Sequence, residues 1–149
     1  MSRNRYKEAQ EKRESGGFAP LAYVVLRSES FARLSAYAVK LLIDLIAQYK
    51  GDNNGDLCAA WTLMKKRGWR SKDTLTNALK ELKAGEWIEI ARRGGRNKAH
   101  LYALTFYAVD DCKGKLDIAA THSPRSFWRR HEPAPVLRPK IIPLNRQTG

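Results

Sequence analysis

A chain of 149 residues, 43% of them hydrophobic, is long enough for one ordinary domain with a packed core, which excludes disorder throughout. Its 28 Lys and Arg residues outnumber its 15 Asp and Glu residues, and the formal net charge of +13 favours polyanionic partners. The excess is localised, because residues 57–98 have a net charge of +7 and residues 113–149 of +6, whereas residues 35–56 have −1.

The sequence shows no pattern typical of a membrane segment, a secretory signal or a metal site. The first twenty residues lack an apolar run, and the most apolar stretch, residues 36–49, is interrupted by Lys40 and Asp44 and is too short to span a bilayer. The two cysteines, Cys58 and Cys112, and the three histidines are scattered without ligand-like spacing. We therefore expect a cytoplasmic protein, associated with the nucleoid or a plasmid, that needs no membrane, metal or cofactor.

Two segments precede the first long helix. Residues 1–17 are polar, mix both signs of charge and end in Ser-Gly-Gly, which predicts a flexible N-terminal arm. Residues 18–34 are apolar in patches, and their SESFARL stretch offers a serine that can cap one or two helical turns. We expect this second segment to be an extension that packs on the outside of the core.

The stretch LSAYAVKLLIDLIAQYKG predicts the first long helix. Ser35 can cap its start, apolar residues recur at helical spacing as far as Tyr49, and Gly51 suits a left-handed stop. Val39 and Ile43 widen the apolar stripe, so this helix is expected to lie between other elements as the spine of the core.

The next elements follow at short intervals. The sequence predicts a short strand at Leu57, a second helix over residues 59–67 that Gly68 ends, and a third helix that begins at a Ser71 cap and ends at Gly85. Only three or so residues separate the second and third helices, which is the spacing of a helix-turn-helix.

Two strands and a charged extension complete the chain. WIEIAR and LYALTF show the alternation of strands, and the glycines of the RGGRNKAH stretch between them permit a hairpin turn. Residues 110–149 form a basic, proline-containing C-terminal extension, whose apolar residues are candidates for docking on the domain: Leu116, Ile118, Phe127 and Trp128. Beyond His131 we expect an extended basic tail.

The stretch GWRSKDTLTNALKELKAGEWIEIARRGGRNKAHLYALT resembles bacterial winged helix-turn-helix DNA-binding proteins of the kind found on plasmids and prophages. Ten residues follow the pattern of their recognition helix and first wing strand: Ser71, Thr74, Leu75, Ala78, Leu79, Glu81, Leu82, Gly85, Trp87 and Ile88. The sequence departs from this pattern by one extra residue, Glu86, between Gly85 and Trp87. The pattern therefore leaves two adjacent positions open for the start of the wing strand. The resemblance covers about residues 35–106.

The resemblance and the element order imply one fold class. We expect a mainly α member of the α+β class, a winged helix-turn-helix domain over residues 35–109 with a three-helix core and a β-hairpin wing. Residues 1–34 and 110–149 are then terminal extensions to this domain. Double-stranded DNA is the partner that the resemblance implies.

The outward face of the third helix is also suited to reading bases. With Leu75, Ala78, Leu79 and Leu82 directed inward, five polar residues remain as candidate base readers: Lys72, Asp73, Thr76, Asn77 and Lys80. Asn77 is suited to adenine, Lys80 to guanine and Thr76 to a thymine methyl group. Asp73 would repel phosphate unless it accepts a hydrogen bond from a cytosine amine.

Phosphate contacts are expected from two further sets of residues. The first set lies at the end of the second helix, with Lys65, Lys66 and Arg67, and around the third helix, with Arg70, Ser71, Thr74 and Lys83. The second is the wing, with Arg92, Arg93, Arg96, Asn97 and Lys98. Each set has a simpler interpretation, since polar residues opposite an apolar stripe equally fit a solvated face and basic residues at a helix end equally fit the helix dipole.

The combination of helix-turn-helix spacing, a cationic wing and localised charge favours a sequence-specific DNA-binding protein. The leading hypothesis is a transcriptional regulator, a repressor, of a plasmid, prophage or other mobile element. The alternatives are a plasmid replication initiation or partition protein and a winged-helix module that binds proteins. No motif of a catalytic site is present, so an enzyme is not expected.

A homodimer is expected because one short recognition helix reads few base pairs. Residues 18–34 and the first helix are both candidates for its interface. The basic C-terminal tail is equally suited to a second DNA arm and to a solvated tail.

Overall fold

The computed structural model describes residues 2–134, so all but the first three residues of the tail predicted beyond His131 lie outside the described residues. This part of the chain is an α+β domain, as expected. Its helices are α1 Ser2–Glu11, α2 Tyr23–Leu26, α3 Glu29–Ala32, α4 Ala36–Ile46, α5 Trp61–Lys66 and α6 Lys72–Ala84. Its strands are β1 Leu57–Cys58, β2 Ile88–Arg92 and β3 Leu101–Leu104, and two short 3-10 helices follow at Cys112–Gly114 and Phe127–His131. From α4 to β3 the order is compatible with a winged helix.

The N-terminal residues form more helix than the sequence predicted. The segment expected to be a flexible arm contains α1, and every side chain from residue 3 to residue 17 is exposed. Residues 18–34 form α2 and α3, and the Ser28 side chain accepts a hydrogen bond from the Phe31 N–H to cap α3. Val25 is buried, so this extension packs against the core.

Helices α4 and α6 pack against each other at the centre of the domain. Ser35 caps α4 as predicted, since its side chain accepts a hydrogen bond from the Ala38 N–H. The helix ends at Ile46, before Tyr49, and Ile43 remains 44% exposed. Six of the eleven residues of α4 are buried, so this helix forms the spine of the core, but the exposure of Ile43 makes its apolar stripe narrower than predicted.

The extra residue at Glu86 ends α6. Gly85 has a right-handed φ of −79°, and the left-handed position falls on Glu86, with a φ of 56°. The Glu86 N–H donates to the Lys83 carbonyl and the Trp87 N–H donates to the Leu82 carbonyl, which is the Schellman arrangement. Strand β2 consequently begins at Ile88 and not at Trp87.

Gly85 leaves room beside this turn for the side chain of Trp87. A Cβ at this position would lie 3.0 Å from the Cδ1 atom of Trp87. Gly85 thus makes room for the Trp87 indole, while Glu86, and not the glycine, adopts the left-handed conformation.

The three strands form one antiparallel sheet in the order β1-β3-β2. Ile88 pairs with Leu104 and Ile90 with Tyr102, and the register shifts between Ile90 and Arg92. Ile88, Ile90 and Tyr102 pack on the helices. The predicted alternation fails in β3, where all four residues are buried.

The C-terminal extension explains why both faces of β3 are buried. Leu116 and Ile118 pack against Ala91, Ala103 and Val109, on the sheet face opposite the helices. The Asp117 N–H donates to the Ala91 carbonyl at 2.7 Å, so the extension is hydrogen-bonded to the outer edge of β2.

Trp128 fixes the end of the extension. Its indole is 2% exposed and stacks on Trp87, with ring centroids 5.1 Å apart and an interplanar angle of 7°. Phe31 and Phe106 meet the edges of Trp87 at 6.0 and 6.2 Å. The four rings join α3, the residues that flank β2 and β3, and the C-terminal extension into one apolar cluster.

A buried amide joins the loop before β1 to the end of β3. The side chain of Asn54 is fully buried, donates to the carbonyls of Leu104, Tyr107 and Ala108, and accepts from the Leu104 N–H at 2.7 Å. Its own N–H donates to an Asp110 carboxylate oxygen at 2.8 Å. Asn54 therefore satisfies backbone groups that the sheet leaves without partners.

We expect Asn54→Ala to lower the free energy of unfolding by about 3 kcal/mol or more, because several buried backbone groups lose their partners at about 1–3 kcal/mol each. Urea denaturation at neutral pH measures this change. The matched control is Asn53→Ala, whose side chain bonds only the nearby Lys50 N–H and Gln48 carbonyl and should cost about 1 kcal/mol. Equal losses in the two variants would contradict this role of Asn54.

Candidate nucleic-acid interface

The outward face of α6 lies open as the sequence predicted. Leu75, Ala78 and Leu82 are buried against the core. The opposite side exposes the five candidate base readers, Lys72, Asp73, Thr76, Asn77 and Lys80, together with Lys83. A helix face with short polar groups and flanking lysines has the dimensions and chemistry that the major groove of DNA accepts.

The start of α6 is already capped by the chain itself. The Ser71 side chain accepts a hydrogen bond from the Thr74 N–H at 3.3 Å, and the Thr74 side chain is half-buried. A phosphate at this end would therefore meet the N–H groups of Lys72 and Asp73 and the exposed side chain of Arg70. Ser71 retains only its hydroxyl proton for such a contact.

The Thr76 hydroxyl also has a partner within the helix. It donates to the Lys72 carbonyl at 2.9 Å. A hydrogen bond from this hydroxyl to a base would have to break that contact, whereas an apolar contact of the methyl group would not. The geometry thus agrees better with the expected thymine-methyl contact than with hydrogen-bond reading.

Asp44 organises the turn between α5 and α6. This buried carboxylate accepts hydrogen bonds from the Trp69 indole N–H at 2.8 Å, the Arg67 guanidinium at 3.0 Å and the Lys40 ammonium at 3.1 Å. Lys40 also donates to the Arg67 carbonyl at 2.8 Å. These four residues, the Asp44 cluster, join α4 to the residues that set the direction of α6.

The pKa of Asp44 is lowered by this environment. Burial alone would raise it, but the hydrogen bonds from Trp69, Lys40 and Arg67 together outweigh burial and hold the pKa below the ordinary 3.8. Asp44 is therefore ionised at neutral pH. Arg67, which the sequence placed among the phosphate contacts with Lys65 and Lys66, forms an ion pair with Asp44 while its side chain stays half-exposed.

Glu81 has a similar joining function. Its carboxylate accepts a hydrogen bond from the Ser35 N–H at 2.9 Å, at the start of α4. This contact satisfies a backbone donor at the helix N-terminus, where the helix dipole also favours an anion. Glu81 is one of the ten residues that follow the winged-helix pattern. Its place in that pattern has a structural reason, because its contact with Ser35 fixes α6 against α4.

Tyr37 is a residue of this surface that the sequence analysis missed. It is 59% exposed on the first turn of α4 and its ring lies 5.9 Å from that of Trp69. Two adjoining clefts along the α4–α6 junction share Tyr37 and Thr74, and one of them continues past Asn77. An exposed tyrosine in an apolar helix was the available signal, but only the packing of α4 on α6 places it beside the candidate base readers.

The hairpin wing presents three of its five candidate residues at the tip. The Gly95 N–H donates to the Lys98 carbonyl and the Lys98 N–H to the Gly95 carbonyl, which leaves Arg96 and Asn97 as the two turn residues. Asn97 supplies the left-handed φ of 61° that the sequence assigned to a glycine. Gly94 lies where the backbone of the other side of the hairpin comes close, because a Cβ there would lie 2.2 Å from the Lys98 carbonyl oxygen.

The other two wing arginines lie further back. The Arg93 N–H donates to an Asp117 carboxylate oxygen at 2.8 Å, while the Arg93 side chain is exposed. Arg92 is half-buried and its guanidinium donates to the Ala99 carbonyl at 3.3 Å. Arg92 therefore braces the two sides of the hairpin and is not at the tip.

The charges of this surface are uncompensated. Nine exposed cations form no ion pair with any residue in the range 2–134: Lys65, Lys66, Arg70, Lys72, Lys80, Lys83, Arg93, Arg96 and Lys98. Cations that do pair elsewhere hold the fold, with Arg125 on Glu89 and Arg130 on Glu86. Unpaired cations on an exposed surface raise the local concentration of polyanions.

Two classes of feature are missing from residues 2–134. No group of three or more His, Cys, Asp or Glu side chains is arranged to hold a metal ion. None of the helices in this range is long and apolar enough to cross a bilayer.

Because the pKa of Asp44 is depressed in the folded state, its stabilising effect is fully present above about pH 4, the ordinary carboxyl range, and is lost as pH falls through the folded pKa. We expect Asp44→Asn to lower the free energy of unfolding by about 2 kcal/mol at pH 7, because the retained side-chain oxygen can still accept from Trp69 and the half-exposed Lys40 and Arg67 can return to water. The difference from the unmodified chain should shrink as pH falls below about 4, as measured by urea denaturation across pH.

The control for this series is Asp73→Asn, the same substitution at an exposed position in the first turn of α6. It should cost less than about 1 kcal/mol, the usual size of a helix-dipole contact. A pH-independent difference for Asp44→Asn would show that the charge of Asp44 does not stabilise the turn.

No protein-family model, no curated protein sequence and no solved structure matches this chain.

Proposed function

We propose that this protein is a winged helix-turn-helix protein that binds double-stranded DNA in a sequence-specific way and regulates transcription, most simply as a repressor on a mobile element. The observation that supports the proposal best is the exposed face of α6. It combines short hydrogen-bonding side chains with cations that have no ion-pair partner among residues 2–134. Neither a core contact nor an internal ion pair accounts for that face.

In the proposed complex α6 enters the major groove. Asn77 would bind an adenine in a bidentate way, Lys80 would donate to a guanine, and Thr76 would contact a thymine methyl group. Lys72 lies near the helix start, with its ammonium 6.0 Å from the Trp61 ring centroid, and is free to reach a base or a phosphate. Asp73 would accept from a cytosine amine.

Phosphate contacts would fix the orientation of the helix. Lys65 and Lys66 at the end of α5 and Arg70 before α6 would bind one strand of the backbone, together with Lys83 on the flank of α6. Tyr37 would add a neutral donor from α4. Arg93, Arg96 and Lys98 of the wing would bind phosphates beyond the segment that α6 reads.

The Asp44 cluster supports the proposal indirectly. Reading base edges requires that the helix keep one orientation to within a fraction of a hydrogen-bond length, and side chains whose rotamers are locked provide this. Asp44 and Glu81 hold α6 at its two ends against α4. A face built only for solvation has no need of this support.

The first test is the affinity of the full chain for duplex DNA at increasing salt. With six to ten phosphate contacts, the affinity should fall by about three to five decades between about 50 and 200 mM salt. Absence of duplex binding at low salt would refute DNA binding and favour the protein-interaction module.

We expect the double variant Arg93→Ala with Arg96→Ala to flatten the dependence of log affinity on log salt by about one unit per lost phosphate contact. The control variant, Arg33→Ala with Lys50→Ala, removes the same charge from exposed positions outside α5, α6 and the wing. Its slope should stay closer to that of the unmodified chain. Equal slopes for the two double variants would remove the wing from the interface.

We expect Asn77→Ala to cost about 1–3 kcal/mol at one base pair of the preferred site and to relax the preference there. Selection of bound duplexes from a random pool defines that site, and affinities for all four bases at each position measure the loss. Equal weakening on the selected site and on random duplex would show that Asn77 does not read a base.

A further inference from the structure

Helix α2 exposes apolar side chains that are not buried in the core of the domain. Of its four residues only Val25 is buried, at 3% exposure, while Tyr23, Val24 and Leu26 are 70%, 51% and 38% exposed. These three residues are called the α2 patch. Single exposed apolar residues are normal on any surface, but several together on one short helix indicate a contact with another molecule.

The α2 patch is held in a fixed position. Val25 packs in the main core, and its carbonyl accepts a hydrogen bond from the buried Ser28 hydroxyl at 2.7 Å. Immediately before the helix, the Tyr107 hydroxyl donates to the Pro20 carbonyl. The exposed side chains are therefore displayed by an anchored helix, which reduces the conformational entropy that a binding partner must overcome.

A groove runs from the α2 patch to the C-terminal extension. Its walls are Tyr23, Val24, Arg27, Trp128, Arg129 and Glu132. Arg27 lies 4.4 Å from the Tyr23 ring centroid and Arg129 lies 4.8 Å from that of Trp128. Glu132 is fixed nearby, since its carboxylate accepts from the Ser30 N–H at 2.8 Å.

The groove thus combines the exposed apolar side chains of Tyr23 and Val24 with charges of both signs. A twofold interface uses the same surface on both subunits, so that surface must be complementary to itself. Exposed apolar side chains such as Tyr23 and Val24 pack favourably on their own copies, and Arg27, Arg129 and Glu132 can oppose cation to anion across the axis. A nucleic acid or an anionic membrane would instead favour a rim of cations alone.

We propose that the α2 patch and its groove form the interface with a second copy of this chain. The biological use of this dimer rests on the proposed function, because pairing would present two α6 helices to the two halves of a palindromic site. The contact itself does not rest on DNA. Three large side chains and a groove make a small interface, so we expect a dimer in the micromolar range that a two-half-site duplex strengthens.

Sedimentation velocity of the full chain over a range of concentrations tests this inference. The unmodified chain should shift from monomer to dimer with rising concentration, and the double variant Tyr23→Lys with Val24→Lys should stay monomeric. The control is Ile43→Lys on α4, a position with 44% exposure, which should dimerise like the unmodified chain. Circular dichroism and thermal unfolding check that both variants remain folded, as exposed substitutions should.

Three outcomes would overturn the inference: a monomeric unmodified chain throughout the range, a double variant that still dimerises, or dimerisation abolished by Ile43→Lys. Affinity for a duplex with a single half-site separates this result from the proposed function. If the monomeric double variant retains that affinity, the α2 patch acts in pairing and not in DNA contact. If no form of the chain binds duplex DNA, the proposed function is wrong. Sedimentation velocity still shows whether the chain forms a dimer through the α2 patch.

Discussion

The direction of α6 depends on one buried carboxylate. Asp44 lies on α4. Two of its hydrogen-bond donors, Arg67 and Trp69, belong to the turn before α6. The third donor, Lys40, also donates to the Arg67 carbonyl in that turn. A buried charge is tolerated only when it is paired and hydrogen-bonded, so this turn can adopt few other arrangements without leaving Asp44 unsatisfied. The Asp44 cluster therefore fixes the turn that places Arg70 and the start of α6 beside Tyr37.

Much of the local structure follows from sequence patterns, because short-range rules determine it. Caps at Ser28, Ser35 and Ser71 are side chains bonding to amides three residues away, and the inward and outward faces of α6 follow from helical periodicity. The turn at Glu86 shows the limit of such rules. Its extra residue was visible in the sequence, but Gly85 was the ordinary candidate for the left-handed position, and only the hydrogen bonds of the Glu86 and Trp87 N–H groups show that Glu86 adopts it.

Contacts between distant residues were not predictable from these patterns. Asp44 read as an interruption of an apolar stretch, and no pattern indicated a role for Asn54, since no periodicity links either residue to partners more than twenty positions away. The burial of both faces of β3 was missed for the same reason, because the C-terminal extension that covers it has no regular hydrophobic repeat. Arg67 looked like its neighbours Lys65 and Lys66, and only the fold separates the arginine that pairs internally from the lysines that do not.

The C-terminal extension also has a consequence for biosynthesis. Glu132 binds the Ser30 N–H across 102 positions of the chain, Trp128 stacks on Trp87, and Asp117 bonds the edge of β2. A ribosome that has released β3 has therefore not yet released the residues that cover its outer face. During translation that apolar face stays exposed until Leu116 and Ile118 emerge, and the stacking of Trp128 on Trp87 forms later still.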